Sequence, residues 1–191
     1  MTPVIGTERL VVRGAAETDV AALVRFFDEN REHMAPWEPP RPLDFHTREF
    51  WRIQVGRHRR AYESGSAVML FMFPKEEPSE VIGQISYTSI VRGPADMCML
   101  GYALAEKAQG NGYMHEALEA SLKFVFERLH MHRVMANFMP HNTRSNAVLR
   151  RLGFTVEGYA RDYLYVNGAW RDHVLTALTN HDWKPLDSDH K

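Results

Sequence analysis

The chain has one cysteine, Cys98, among 191 residues. That excludes an internal disulfide framework and any zinc site built on four thiolates. It also lacks an excess of either charge: 23 lysines and arginines stand against 24 aspartates and glutamates, a formal net charge of -1. Global electrostatics give no drive toward DNA or an anionic membrane, and neither is expected as a partner. Long hydrophobic runs are missing too. The longest, Ala67 to Pro74, is far too short to span a bilayer. The opening MTPVIGTERL has no apolar segment behind basic residues, so no secretory signal is expected, and the cytoplasm is the expected compartment. Repeats and low-complexity stretches are absent. What is present is the balance of a soluble globular protein, 45% apolar and 25% charged, which leads us to expect one domain over 1–191.

Periodicity places the elements. Leu10 to Arg13 reads as a first strand. Thr18 is expected to cap a helix in which Val20, Leu23, Val24 and Phe27 recur at helical spacing. Four prolines between Ala35 and Pro42 make an ordered or semi-rigid loop. Thr47 caps a second helix, with Trp51, Val55 and Tyr62 on one face and six basic residues along it. Ala67–Phe73, Val81–Val91 and Met97–Leu104, joined by short turns, predict an antiparallel meander, the first strand buried on both faces. A long helix follows Gly112. It turns Met114, Ala117, Leu118, Leu122, Val125 and Leu129 inward, leaves Glu116, Glu119, Lys123 and Glu127 to solvent, and pairs Glu119 with Lys123. Val134–Met139 is a strand, and Asn142 caps a helix that Gly153 ends. Asn167-Gly168 marks a hairpin between two last strands. The sum is a mixed α/β (α+β) fold around one mostly antiparallel sheet.

The segment that carries chemistry is Lys107-Ala108-Gln109-Gly110-Asn111-Gly112, between a strand and a helix. Glycines let successive N–H groups converge on an anion, and the helix adds its positive end, so the loop suits a phosphate or pyrophosphate. No Gly-Lys-Ser/Thr follows, which excludes a Walker loop, and the three-glycine spacing of a dinucleotide fingerprint is missing.

These residues resemble the GNAT acetyltransferases, whose phosphate loop reads Gln/Arg-x-x-Gly-x-Gly/Ala, with Lys107 departing at the first position. Asn142-Thr143-Arg144-Ser145-Asn146-Ala147, then Leu152-Gly153-Phe154 and Glu157-Gly158, resemble the RimL/RimJ branch, which acetylates the N-termini of ribosomal proteins. Pro36-Trp37-Glu38-Pro39, Val91-Arg92-Gly93, Leu100-Gly101-Tyr102, Met139-Pro140-His141-Asn142 and the run from Gly168 to Leu178 extend the likeness over nearly the whole chain. The resemblance implies the GNAT fold. It also implies acetyl transfer from acetyl-CoA, without a metal, to the N-terminal alanine of a small-subunit ribosomal protein, the fifth of that subunit. Pantetheine then lies between two splayed strands, those ending at Leu104 and Met139, along Tyr102, Ala103 and Leu104. The amides of Gln109, Gly110, Asn111, Gly112, Tyr113 and Met114 hold the pyrophosphate. Asn142 bonds the CoA arm, and Ser145 protonates the departing thiolate. Trp37, Glu38 and Asp162 are the expected acceptor contacts, in a slot between the proline-rich loop and the Asn167-Gly168 hairpin.

The amine chemistry follows without the family. An α-amine of pKa near 7.7–8.0 is roughly 10–15% neutral at pH 7, a lysine only about 0.04%. An N-terminal acetyltransferase therefore asks less of a general base. Many members of the family carry a glutamate before the Gly-Tyr of the meander strand, where this chain has Leu100. Glu116, Glu157 and Asp162 are the carboxylates left to act through water. Bland alternatives stand beside each role. Ser145 can simply pack a helix turn, Asn142 is a helix cap in either reading, Glu116 can be plain surface, and Trp37 with Glu38 can anchor a loop. His130 and His132 lack companions at metal-ligand spacing. Cys98 reads as buried and apolar. The methionines Met69, Met72, Met97, Met99, Met135 and Met139 read as core or as the lining of an acyl channel. The run Arg57-His58-Arg59-Arg60 is either a solvated face paired with Glu49 and Glu63 or a contact for ribosome or rRNA. Acetylation of a polyamine or aminoglycoside, or a role as a ribosome-assembly factor, are the alternative functions.

Overall fold

The computed structural model describes residues 2–185; Met1 and 186–191, the two ends of the expected 1–191 domain, lie outside the described residues. The order is β1 (Val4–Gly6), β2 (Leu10–Arg13), α1 (Val20–Glu29), α2 (Arg31–Met34), α3 (Arg48–Glu63), β3 (Val68–Pro74), β4 (Gly83–Val91) and β5 (Met97–Leu104). Then come α4 (Tyr113–Glu127), β6 (Arg133–Phe138), α5 (Thr143–Arg151), β7 (Thr155–Val166) and β8 (Ala169–Thr179). The strands form one sheet in the order β1-β2-β3-β4-β5-β6-β8-β7. Every pairing is antiparallel except β5 with β6. A parallel pair needs a crossover, and α4 supplies it. β1 is an addition to the expected elements: three residues show no period.

The sheet is covered on both faces. β3 is buried on both, as its unbroken apolar run requires, with Leu70, Phe71 and Met72 fully enclosed. Phe71 meets Trp51 and His58 of α3, each ring 6.3 Å away. Trp51 stacks on Phe27 of α1 at 4.5 Å. On the other face the Tyr87 hydroxyl meets Ser121 of α4 at 2.8 Å, a buried polar pair that satisfies itself. Cys98 is buried, and burial pushes its thiol up to about 12, an inert apolar residue.

Four local expectations need correction. Thr18 does not cap α1. It sits in a 3₁₀ turn, and the residue before the helix is Asp19, whose carboxylate accepts from the Ala16 amide at 2.7 Å and from Arg13. Lys123 pairs with Glu127 at 3.9 Å rather than with Glu119; both partners are one exposed turn away, so little energy separates the choices. Glu116 is not a solvated residue but is tied to β2, as set out below. His58 is not part of a basic surface, because helical spacing turns it onto Phe71 while Arg57, Arg59 and Arg60 face out. Arg59 lies 3.9 Å from Glu63 and Arg52 2.8 Å from Glu49.

Candidate active site

The parallel ladder between β5 and β6 is only three residues long, Met97↔Arg133 to Met99↔Met135. Beyond it β5 continues to Leu104 still paired with β4, and β6 continues to Phe138 still paired with β8. Each strand keeps its outer neighbour while the facing edges part. Backbone groups along Leu100–Leu104 and Ala136–Phe138 are therefore left open to a strand-like ligand. β4 carries a bulge between Thr88 and Val91, beside the start of β5, and bulges raise the local twist. Met99 and Met135 stand at the apex of the cleft. Alternation sends them and Asn137 to the α1–α3 face, and Tyr102 to the α4–α5 face. Met72 lies on that second face as well, so the expected methionine lining divides between the two sides of the sheet.

The glycine loop closes the end of β5. Gly110 and Gly112 both sit in the left-handed region, at φ 78° and 79°. Gly112 is the N-cap of α4, so the helix begins with no side-chain cap. Among the described residues, the amides of Gly110, Asn111 and Gly112 donate to no protein group. The loop is braced from its β5 side by residues the sequence did not single out. Buried Asn30 of α1–α2 accepts from the Glu106 amide at 2.8 Å and donates to the Phe26 carbonyl. His33 meets the Gln109 side chain at 2.9 Å. Lys107 points away, to Glu80 at 2.5 Å.

Across the cleft, Asn142 caps α5 as expected: its Oδ1 accepts from the Ser145 amide at 3.0 Å. The Ser145 hydroxyl lies 2.7 Å from the Tyr102 hydroxyl, so a residue of β5 and one of α5 meet over the opening. Burial pushes the Tyr102 phenol up to about 12, outweighing the opposing hydrogen bond to Ser145. On the opposite face, Asn137 donates to the Tyr163 hydroxyl at 3.2 Å, and Tyr163 lies beside buried His173. Tyr163 is placed there by an irregularity of the β7–β8 ladder, between Ala160 and Leu164. Nothing in the residue pattern announces that bulge.

The expected acceptor residues are only partly brought together. The Trp37 ring packs 5.3 Å from His141, in the turn between β6 and α5, and so borders the cleft. The Glu38 carboxylate is engaged by Arg41, and its carbonyl accepts from the Asn167 amide at 3.0 Å. That backbone bond joins the proline-rich loop to the hairpin at one point along the expected slot. A cavity of about 390 Å³, lined by Phe27, Met34, Pro39, Arg41, Phe45 and Gly168, lies beside the seam. Asp162 is at the bulge, exposed, with φ 46°, its amide bonded to Asp172 at 2.9 Å. The carboxylates weighed as distant bases are also occupied: Glu157 by Arg133, Glu116 by Arg9 and Thr7. Leu100 is buried.

The chain is similar in sequence and fold to known acetyltransferases. The family described as Acetyltransferase (GNAT) domain matches residues 9–155. The [Ribosomal protein uS5]-alanine N-acetyltransferase of Escherichia coli (strain K12) is 45% identical over 179 residues, covering 94% of this chain and 92% of the relative. The crystal structure of the ribosomal-protein-S5-alanine acetyltransferase from Vibrio fischeri superposes with a TM-score of 0.91 at 37% identity, over 96% of this chain and 100% of that one. The Mycobacterium smegmatis RimJ in complex with CoA-disulfide gives 0.87 at 30% identity, over 96% and 90%.

Proposed function

The chain belongs to the GNAT acetyltransferase family, and from that premise we propose that it transfers the acetyl group of acetyl-CoA to the N-terminal alanine of ribosomal protein uS5. The observation that carries this reading is the join of two features: a cleft between β5 and β6 whose facing backbone is unpaired, and an uncapped glycine loop at its end. A relative 45% identical over nearly its full length bears that activity in its name. We read the described sheet and helices as one such domain.

The residues fit a CoA molecule. Pantetheine matches the open edge at Tyr102, Ala103 and Leu104, because it presents amides as a strand does. The pyrophosphate matches the amides from Gly110 to Met114, where free N–H groups and the positive end of α4 converge; the Gln109 amide, expected in this set, already donates to the Glu106 carbonyl at 3.2 Å. Asn142 and Ser145 border the arm from α5. CoA supplies an activated thioester, and the chain's own residues do the rest. The acceptor amine approaches from the α1–α3 face, past Trp37, where Asn137 and Tyr163 are the polar groups at hand. Glu38 serves as a loop anchor through its carbonyl, and Asp162 shapes the bulge that aims Tyr163. An α-amine is already partly neutral at pH 7, so the absence of a free carboxylate at Leu100 is tolerable. The neutral amine attacks the thioester carbonyl, and its nitrogen loses a proton to water as the amide forms. As the C–S bond breaks, Ser145 donates its proton to the departing thiolate and takes one back through the Tyr102 hydroxyl, which solvent reprotonates.

The test is intact-mass analysis of small-subunit ribosomal proteins incubated with the enzyme and acetyl-CoA. A gain of one acetyl on uS5, mapped to its N-terminal alanine, is expected. No gain on uS5 with turnover on a small amine would overturn the acceptor.

Such an enzyme works where ribosomes are made, which places it in the cytoplasm; among the described residues no helix is long and apolar enough to cross a membrane. Contact of Arg57, Arg59 and Arg60 with ribosome or rRNA is an extension of this reading, tested by the salt dependence of ribosome affinity.

A further inference from the structure

The far end of the glycine loop, where α4 begins, is held by one residue that the reading above leaves without a role. Arg9, at the turn into β2, reaches the loop three ways. Its Nη1 donates to the Asn111 carbonyl at 2.9 Å. Its guanidinium carbon lies 4.5 Å over the Tyr113 ring. Its Nη2 stands 3.5 Å from where a Cβ on Gly112 would be. The same guanidinium grips Glu116, in the first turn of α4, through Nε and Nη2, both at 2.7 Å. The Arg9 amide at 2.8 Å and the Thr7 hydroxyl at 2.6 Å complete that carboxylate's partners.

Glu116 poses an electrostatic problem. A carboxylate in the first turn already satisfies the positive end of its helix, and so competes with any anion for it. It is also only 17% exposed, so water screens it poorly. A pyrophosphate at the Gly110–Gly112 amides would meet that charge. Building on the CoA reading of the loop, we propose that Arg9 is a positioning residue for acetyl-CoA: it fixes the Asn111–Gly112 turn and cancels the charge of Glu116, so that α4 offers its amides to the pyrophosphate.

A plain staple between β2 and α4 would behave differently, and the two roles separate by sign. Binding of CoA is measured by calorimetry on folded protein. Arg9→Met keeps an unbranched side chain but removes the guanidinium, and with it the charge, the bond to the Asn111 carbonyl and the contact with Tyr113. CoA Kd is expected to rise about tenfold, the scale of one lost charge-assisted interaction. Glu116→Gln, which breaks the ion pair from the other side, is expected to leave Kd unchanged or lower it. The double variant is expected to bind CoA more tightly than Arg9→Met, recovering the part of the loss that comes from the uncancelled Glu116 charge but not the part that comes from the freed Asn111 turn. A staple predicts that both single variants weaken CoA binding and that the double is no better than the worse of them; that pattern, or a normal Kd in Arg9→Met, overturns the proposal. Gly112→Val measured in parallel keeps the premise separate. If it binds CoA normally, the loop is not the CoA site at all. If it loses CoA while Arg9→Met does not, the proposal for Arg9 alone fails.

Discussion

The hydroxyls of Tyr102 and Ser145 lie 2.7 Å apart, one carried by β5 and the other by the first turn of α5, on opposite sides of the cleft. Burial keeps the phenol protonated, with its pKa up at about 12. A neutral Tyr102 that donates to Ser145 leaves the serine's own proton free for the leaving thiolate.

Ser145→Ala is therefore expected to lower kcat more than it raises KM for acetyl-CoA. The loss should be about 10- to 100-fold, the low end for a general acid because a thiol is a good leaving group. Tyr102→Phe should cost less, since Ser145 keeps its hydroxyl. Steady-state kinetics with a uS5 N-terminal peptide checks both; full kcat in Ser145→Ala would remove the serine from proton transfer.

At Gly110 the space beside the backbone is open, yet φ is 78°. Conformation and not collision limits what this position accepts. Left-handed backbone costs an ordinary residue about 1–2 kcal/mol, and asparagine tolerates it best. Gly110→Asn should retain CoA binding within a few-fold and Gly110→Val should lose much more, as read by calorimetry. Equal behaviour of the two would mean that the turn does not set the affinity.

His58 makes stability depend on pH. Burial lowers its pKa to about 4, and its Nδ1 is enclosed without a partner. The unfolded chain thus binds a proton near the ordinary value of about 6.5 that the folded chain refuses. Stability from this site is full above that pH and falls as pH drops toward 4, by up to about 3 kcal/mol. In His58→Leu the fall between pH 7 and 5 should be smaller than in the parent, measured by thermal or urea unfolding.

The acceptor preference has its own check. A peptide beginning with alanine should be acetylated, and the same peptide with a blocked N-terminus and a free internal lysine should be a poor substrate. The reason is the roughly 10–15% against about 0.04% of neutral amine at pH 7. Comparable turnover of the two would end the N-terminal reading and leave the acetyltransferase intact.

The elements whose period is long or whose turn chemistry is strict were legible in the chain itself. Met97–Leu104 falls on β5 residue for residue, Thr47 and Asn142 cap the helices they were expected to cap, and Asn167-Gly168 turns the hairpin. Gly110 and Gly112 mark the loop because only a few residues accept positive φ. These are local signals, decided within a few positions. What tertiary structure decided is every pairing between distant residues. The three-residue ladder that opens the cleft depends on where β4 bulges and on which outer partners hold β5 and β6. Tyr102 finds Ser145 across 43 positions of sequence, and Arg9 finds Glu116 across 107. No period or spacing encodes such a meeting. Glu116 read as solvent-facing from its helix alone, and became the partner of β2 because the sheet brings that strand beside the first turn of α4. His58, by the same logic, left a basic run for the core once α3 had a sheet face to lie on.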